Sequence, residues 1–295
     1  MHGKGKWKVD NGSKNHHFVP VYHIKRFTDG DGMLWWYDKR YKRFCRTRAK
    51  RLAPGGVLYE PNGNTVYSGS ARTTIVETAF AEMDDLSAKS FCQVATISDM
   101  VNGISTELYA YMHGHMVTQF FRAPTNNEFY AELLRVWKKY PDSFQASRIV
   151  PSADSDIDFV RKSSRMFLPL DLLQSLRSNS TESNVHRLYH TPDPILVLTD
   201  NPVVFLRPIS IFRDLLGPAL LAVSSNRLYT TDEPGYETGA SRWRMIAYNT
   251  LSIEQAERWV FGSTLESVAL AVQAWEEFRA LSSLEVWKEA LFRLK

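Results

Sequence analysis

Apolar positions in "ARTTIVETAFAEMDDLSAKSFCQV" (71–94) recur at helical intervals, through Ile75, Thr78, Ala79 and Leu86, and predict a long helix. A second helix is predicted from about Thr106 to Phe121, stopping before "RAPTNNE", where Pro124 cannot continue it. "NEFYAELLRVWKKY" predicts a third and "LPLDLLQSLRS", near residue 170, a fourth. The pattern then changes. "VHRLYH", "PILVLT", "PVVFL", "ALLAVSS" and "RWRMIAYN" are short, β-branched or aromatic, and separated by Pro, Asp and Asn, so they read as an antiparallel sheet. From Ser252 onward, "SIEQAERWVFGS" and "LESVALAVQAWEEFRALSS" read as helix again, with Asn249 as a cap. Nearer the start, "GMLWWYDKRYKRFCRTRAKRL" (32–52) suits two basic strands joined by a turn, and "APGGVLYEPNGNTVYSGS" reads as loop. The fold expected is α+β, a mainly helical first half packed with an antiparallel sheet from the second half. Residues 1–14, polar and lysine-rich, form a flexible basic arm in this reading, and 15–295 a single domain with 32–52 as a basic hairpin subregion.

With 295 residues, 44% of them hydrophobic, the chain can bury a substantial core. Its longest apolar runs, "PALLAV" and "PILVLT", fall far short of the roughly 18 residues that cross a bilayer, so no membrane partner is expected. The opening "MHGKGKWKVD" lacks the apolar run of a secretory signal. Cys45 and Cys92, the only cysteines, are too few for a disulfide framework or a thiolate zinc site. These features make the cytoplasm the expected location. Charge adds more. Residues 1–51 carry 14 Lys and Arg against four Asp, a net +10, while the remainder carries 22 basic and 28 acidic side chains, a net −6. A segregated field of this kind draws polyanions to one side of a molecule, and nucleic acid or a nucleotide is the partner it predicts.

Several segments hold groups capable of chemistry. In "NHHFVPVYHIKRF" (15–27), His16 and His17 point to opposite faces of an extended chain. One imidazole can face a site as base or metal ligand while the other is held by a backbone carbonyl, or both can simply pack on Phe18 and Tyr22. On the 71–94 helix, Glu77 and Asp84 lie two turns apart on one face with Ala81 between them, and Glu82 and Asp85 form a second, rotated pair. They suit a shared cation or an acid and base, or a solvated face. "YMHGHMVTQFFRAP" sets His115, Gln119 and Arg122 in one polar stripe on an otherwise apolar helix. Unpaired burial would cost roughly 2 kcal/mol or more for each, so they need partners. A phosphate would fit the fork of Arg122, and so would an internal acid such as Glu77. "LVLTDNPVVF" ends an apolar strand in Asp200 and Asn201, which either face a pocket or form a turn before Pro202. The basic stretch from Lys39 to Arg51, interleaved with Tyr41 and Phe44, suits backbone contact and base stacking, or protection of a sheet edge. No glycine-rich phosphate loop follows a strand.

Together these stretches resemble a prokaryotic family of unknown function marked by an amino-terminal His-His-Tyr-Val-Pro motif. Here it reads His16-His17-Phe18-Val19-Pro20, followed by "VYHIKRF" and "LWWYDK". "VE" at Val76-Glu77 with "MD" at Met83-Asp84 looks like the family's paired-glutamate helix, "QFFRAP" like its Gln-x-x-Arg-Thr-Pro, and "LTDNPVV" like its Ser-Asp-Asn-Pro-Val. Phe18 replaces a tyrosine, Asp84 a glutamate and Ala123 a threonine. The resemblance implies a set of positions rather than a reaction, and some members are associated with phage-defence loci.

The function expected from these readings is an effector acting on nucleic acid or nucleotides, as a metal-assisted phosphodiesterase or nuclease. Its catalytic set is His16, His17, Glu77, Gln119, Arg122, Asp200 and Asn201. Magnesium or manganese would be held by Glu77, Asp84 and Asp200, with Arg122 clamping the phosphate. Lys25, Arg26, Lys39, Arg40, Lys42, Arg43, Arg46 and Arg48 would hold nucleic acid. The alternatives are a non-catalytic sensor that binds a nucleotide or a phage component, and a polar cluster that is a satisfied internal network.

Overall fold

A computed structural model of the chain describes residues 15–61, 63, 66–68, 71–73, 75–96, 106–139, 157–158, 160–162, 164–165, 185–206, 209, 215, 217–232 and 241–281. The arm expected over 1–14 and the helix expected near residue 170 lie outside them. In chain order the elements are β1 (Asn15–His17), α1 (Val21–Ile24), β2 (Trp35–Asp38), β3 (Arg43–Phe44), β4 (Tyr59–Pro61), β5 (Val66–Ser68) and β6 (Ala71–Thr73). Then come α2 (Ile75–Thr96), α3 (Thr106–Arg122), α4 (Asn127–Lys139), β7 (Val185–His190), β8 (Leu198–Thr199), β9 (Val203–Phe205), β10 (Ala219–Ser224) and β11 (Arg227–Asp232). The described chain ends with α5 (Ser241–Gln255), β12 (Trp259–Gly262) and α6 (Leu265–Leu281). No helix among the described residues is long and apolar enough to cross a membrane.

The described strands pair antiparallel, in sheets ordered β7-β11-β10-β9 and β3-β2-β12-β8 and in the pairs β1-β4 and β5-β6. The fold is α+β, but helices are not confined to the first half: α5 and α6 stand in the second, and β1 to β6 in the first. This corrects the expected arrangement. In the first half β4 and β5 arise in the stretch read as loop and β6 at the start of the stretch read as helix, and in the second half two segments changed type. "RWRMIAYN" is β-branched and aromatic enough to read as a strand, yet Met245, Tyr248 and Leu251 recur every three residues, and all three are buried in one apolar cluster. Their spacing is that of a helix face, and α5 forms. "RWVFGS" reads as helix only because helical stretches flank it. It is β12, a central strand bonded to β2 on one side and β8 on the other, where its bulky side chains fill a pleated, two-sided surface. Asn249 is no cap either. It sits within α5, and its amide accepts from the Val197 N–H (3.1 Å) and donates to the Ile195 carbonyl (2.8 Å), acting as a surrogate strand partner.

Strand β10 is buried along nearly its whole length because both its faces are covered. Leu221 and Val223 pack with Met112, Val117 and Phe120 of α3. Leu220 and Ala222 face the opposite way, onto Val19, Ile24, Met245 and Tyr248. The turn after β1 is thereby pinned between this sheet and α5. A third apolar cluster joins Tyr37, Val260, Val268 and Trp275, seating α6 on the β2–β12 sheet.

Candidate functional site

Strand β1 brings the histidine motif into register with β4, with His16 opposite Glu60 and His17 opposite Tyr59. Alternation separates the two imidazoles as a strand must. His16 is buried, and the half-buried His17 ring meets Tyr59 edge-on at 5.9 Å. Pro20 then opens α1, since its carbonyl accepts from Ile24 N–H (3.1 Å) and its missing N–H costs nothing at a helix start. That single turn directs Tyr22 and His23 inward. His23 Nε2 bonds the Ala222 carbonyl at 2.7 Å, and the Tyr22 hydroxyl bonds His115 Nδ1 at 2.9 Å.

Burial sets the protonation of these rings. It raises the Tyr22 phenol, with Asp84 adding to the effect, and lowers His115 well below the ordinary histidine range. It lowers His23 and His113 to about 4 each. Both are neutral in the folded protein at pH 7, whereas in the unfolded chain they bind protons as pH drops below about 6.5. The unfolded state therefore holds more protons between about pH 6.5 and 4. Stability is full above that window and falls within it by about 1.4 kcal/mol per pH unit for each ring. Denaturant midpoints at pH 7.5 and 5.5 should differ accordingly, and equal midpoints would refute the neutral assignment.

The α3 stripe is the centre of the site. Arg122 Nη1 donates to both oxygens of Asp84 (2.8 and 3.1 Å), Nη2 donates to the Phe80 carbonyl (3.2 Å), and the guanidinium lies 4.1 Å over the Phe80 ring. Of the two partners weighed for Arg122, the internal acid is therefore the one it meets, and that acid is Asp84. Glu77 lies on the same helix two turns earlier, and its side chain lies outside the described residues. Gln119 Nε2 donates to the Phe18 carbonyl at 2.5 Å. Three polar atoms along this stripe, His115 Nε2, Gln119 Oε1 and Arg122 Nε, are buried without a hydrogen-bond partner. Each costs on the order of 1–3 kcal/mol in that state.

A second network holds the stripe from below. Arg165, 1% exposed at its side chain, donates to the carbonyls of Phe121 (2.9 Å), Gly63 (2.8 Å) and Arg122 (2.8 Å), and lies 3.5 Å from Glu60. Glu60 also pairs with Arg161 at 2.9 Å. Arg165 thus takes the carbonyls that the end of α3 leaves without helical partners. Sequence reasoning missed Tyr22, Glu60, Arg161 and Arg165 as parts of the site. Tyr22 had a signal, since it stands in the histidine motif directly before His23; the other three carry no local signal.

Asp200 and Asn201 belong elsewhere in the hydrogen-bond network. Asp200 is buried, and its oxygens accept from the backbone N–H groups of Glu257 (3.0 Å), Arg258 (2.7 Å) and Trp259 (3.0 Å). Burial raises its pKa. Asn201 takes part through its backbone, accepting from Gln255 Nε2 at 2.6 Å and donating to Thr199 Oγ1 at 3.3 Å. Among the described residues, no group of three or more His, Cys, Asp or Glu stands ready to hold a metal ion. Asp84 is engaged by Arg122 and Asp200 by amides, so these two do not form a ligand set as they stand.

The basic hairpin divides into two kinds of cation. Lys39 Nζ donates to the carbonyls of Ile253, Glu254 and Ala256, each at 2.8 Å, closing the end of α5. Arg40 pairs with Glu257 (2.9 Å), and Arg26 reaches Cys92 Sγ (3.3 Å). Lys42, Arg43, Arg46 and Arg48 are exposed, as is Lys25 near α1, and none has an ion-pair partner among the described residues. Lys42 takes the positive φ of the turn (49°), and Arg43 lies 5.6 Å from the Tyr41 ring, itself 56% exposed.

No curated protein and no solved structure gives a significant match to the chain. A family model described as "Protein of unknown function (DUF4238)" matches residues 15–266, from β1 through the start of α6 and so across every element of the site, and the chain belongs to that family.

Proposed function

We propose that the protein binds nucleic acid, docking the phosphate backbone on the exposed face of the β2–β3 hairpin. The carrying observation is the set Lys42, Arg43, Arg46 and Arg48, exposed around the exposed ring of Tyr41 with no acidic partner among the described residues. Free cations release counterions on meeting phosphates, and an exposed aromatic face stacks on unpaired bases. The motif resemblance adds phage defence as the setting, with invading nucleic acid as the partner.

The test is fluorescence anisotropy with single-stranded DNA, duplex DNA and RNA over a range of salt. A variant carrying Lys42→Glu, Arg43→Glu and Arg46→Glu should bind at least tenfold more weakly, with a salt slope smaller by about two to three. Its melting temperature should hold, because all three side chains are exposed. Binding equal to wild type would end the proposal.

Metal-assisted phosphodiester hydrolysis is the second reading. It is favoured by Glu77 and Asp84 sharing one face of α2 and by the three unfilled polar atoms of the α3 stripe. It requires Arg122 to release Asp84. Incubation of the bound substrates with magnesium or manganese decides it: cleavage by wild type that is lost in Glu77→Ala supports hydrolysis, and intact substrates leave the protein a binding module.

A further inference from the structure

A cavity of about 370 Å³ lies where the amino end of α6 meets the loop before β2, lined by Asp29, Asp31, Trp35, Arg48, Arg51 and Ser263 with Thr264 and the first helical residue, Leu265. We propose that it binds a phosphomonoester anion, the phosphate of a nucleotide. That the ligand is a nucleotide rests on the nucleic-acid reading above; the anion site itself does not.

Three independent features meet there. The Thr264 hydroxyl accepts the Ser267 N–H at 2.9 Å and caps α6, leaving the N–H groups of Leu265 and Glu266 for a ligand at the positive end of a 17-residue helix. Ser263 is 7% exposed, and its hydroxyl has no hydrogen-bond partner although the residue lines the cavity. Arg48 is exposed, with no acid bound to it among the described residues. Arg51 balances one of the two carboxylates in the cavity, and the other, Asp31, is 63% exposed at its side chain and solvated. Arg51 Nη1 bonds both Asp29 and Asp31, the latter at 2.9 Å, and its Nε donates to the Arg48 carbonyl at 2.9 Å. Glu266, in the first turn, is exposed to solvent. What remains is two backbone donors, the buried Ser263 hydroxyl and the Arg48 guanidinium, a donor set for phosphate whose one opposing charge, on Asp31, is turned to solvent.

Size then selects among phosphates. The volume lies within the range of small-molecule sites and far exceeds one tetrahedral anion, while Trp35 supplies an aromatic wall for a base. Arg48 belongs both to this cavity and to the exposed basic face, so a strand end carrying a 5′-phosphate can enter here while its backbone follows the hairpin.

Isothermal titration calorimetry with inorganic phosphate, adenosine 5′-monophosphate and adenosine tests the anion site. Anisotropy with one oligonucleotide bearing either a 5′-phosphate or a 5′-hydroxyl tests the source. Phosphate and the monophosphate should bind, and adenosine should bind at least tenfold more weakly than the monophosphate. Ser263→Ala and Arg48→Gln should each weaken monophosphate binding about tenfold at unchanged melting temperature. No preference for the monophosphate over adenosine, or variants that bind like wild type, overturns the site. The Lys42→Glu, Arg43→Glu, Arg46→Glu variant separates the two claims, since it should keep the monophosphate and lose the oligonucleotide. Monophosphate binding with no oligonucleotide bound at all upholds the site and removes the nucleic-acid reading. Oligonucleotides bound equally with either end, and no monophosphate, remove the site alone.

Discussion

Arg165→Met is expected to lower the unfolding free energy by about 3–5 kcal/mol, the scale for removing one partner from a buried charged network. Methionine keeps much of the stem but none of the donors. The carbonyls of Phe121, Gly63 and Arg122 would each lose a hydrogen bond, and Glu60 would lose one of its two cations while keeping Arg161. Two of those carbonyls terminate α3, so the loss falls on the turn that holds Arg122 and, through it, Asp84. Loosening there should also reach the Gln119 contact with Phe18, and with it the histidine strand. Urea unfolding measures the effect, and a loss below about 1 kcal/mol would show that the carbonyls find other donors.

Asp200→Asn is expected to cost about 2–4 kcal/mol, because three backbone donors converge on that carboxylate and an amide offers them only one oxygen. Its NH₂ group would face N–H groups where an acceptor is needed. The 257–259 turn that these bonds fix leads directly into β12, the strand joining β2 to β8. A drop in melting temperature is thus the expected outcome. If Asp200 instead served a reaction, the same change would abolish activity while leaving the melting temperature in place. Thermal unfolding measured beside the nucleic-acid assays separates these outcomes.

Much of the site was legible because its signals are local. The spacing of His115, Gln119 and Arg122 follows from helical geometry alone, and the cost of burying them required a partner before any was known. That the partner is Asp84 rather than Glu77 was not legible, because α2 and α3 are separated by a chain segment whose path no local pattern encodes. Arg165 shows the limit more sharply. Nothing near it in the chain distinguishes it from any other helical arginine, and its role arises only where α3 ends beside it. Asp200 looked like a site residue because a polar pair at the end of a buried strand often is one. Its amide partners lie 57 to 59 residues away, at the start of a strand that read as helix.

By itself the sequence determined what short-range periodicity and composition encode: the helices α2, α3 and α4, the strands β7, β9 and β10, the basic hairpin and the segregation of positive charge. The tertiary structure alone decided what depends on burial from both sides. It made "RWRMIAYN" a helix and "RWVFGS" a strand, joined Tyr22 to His115 and Arg122 to Asp84, and turned Lys39 inward while leaving Lys42, Arg43, Arg46 and Arg48 outside. The physical reason is common to all of these. A polar or apolar side chain has no fixed role until the fold sets which neighbours desolvate it, and those neighbours come from segments far along the chain.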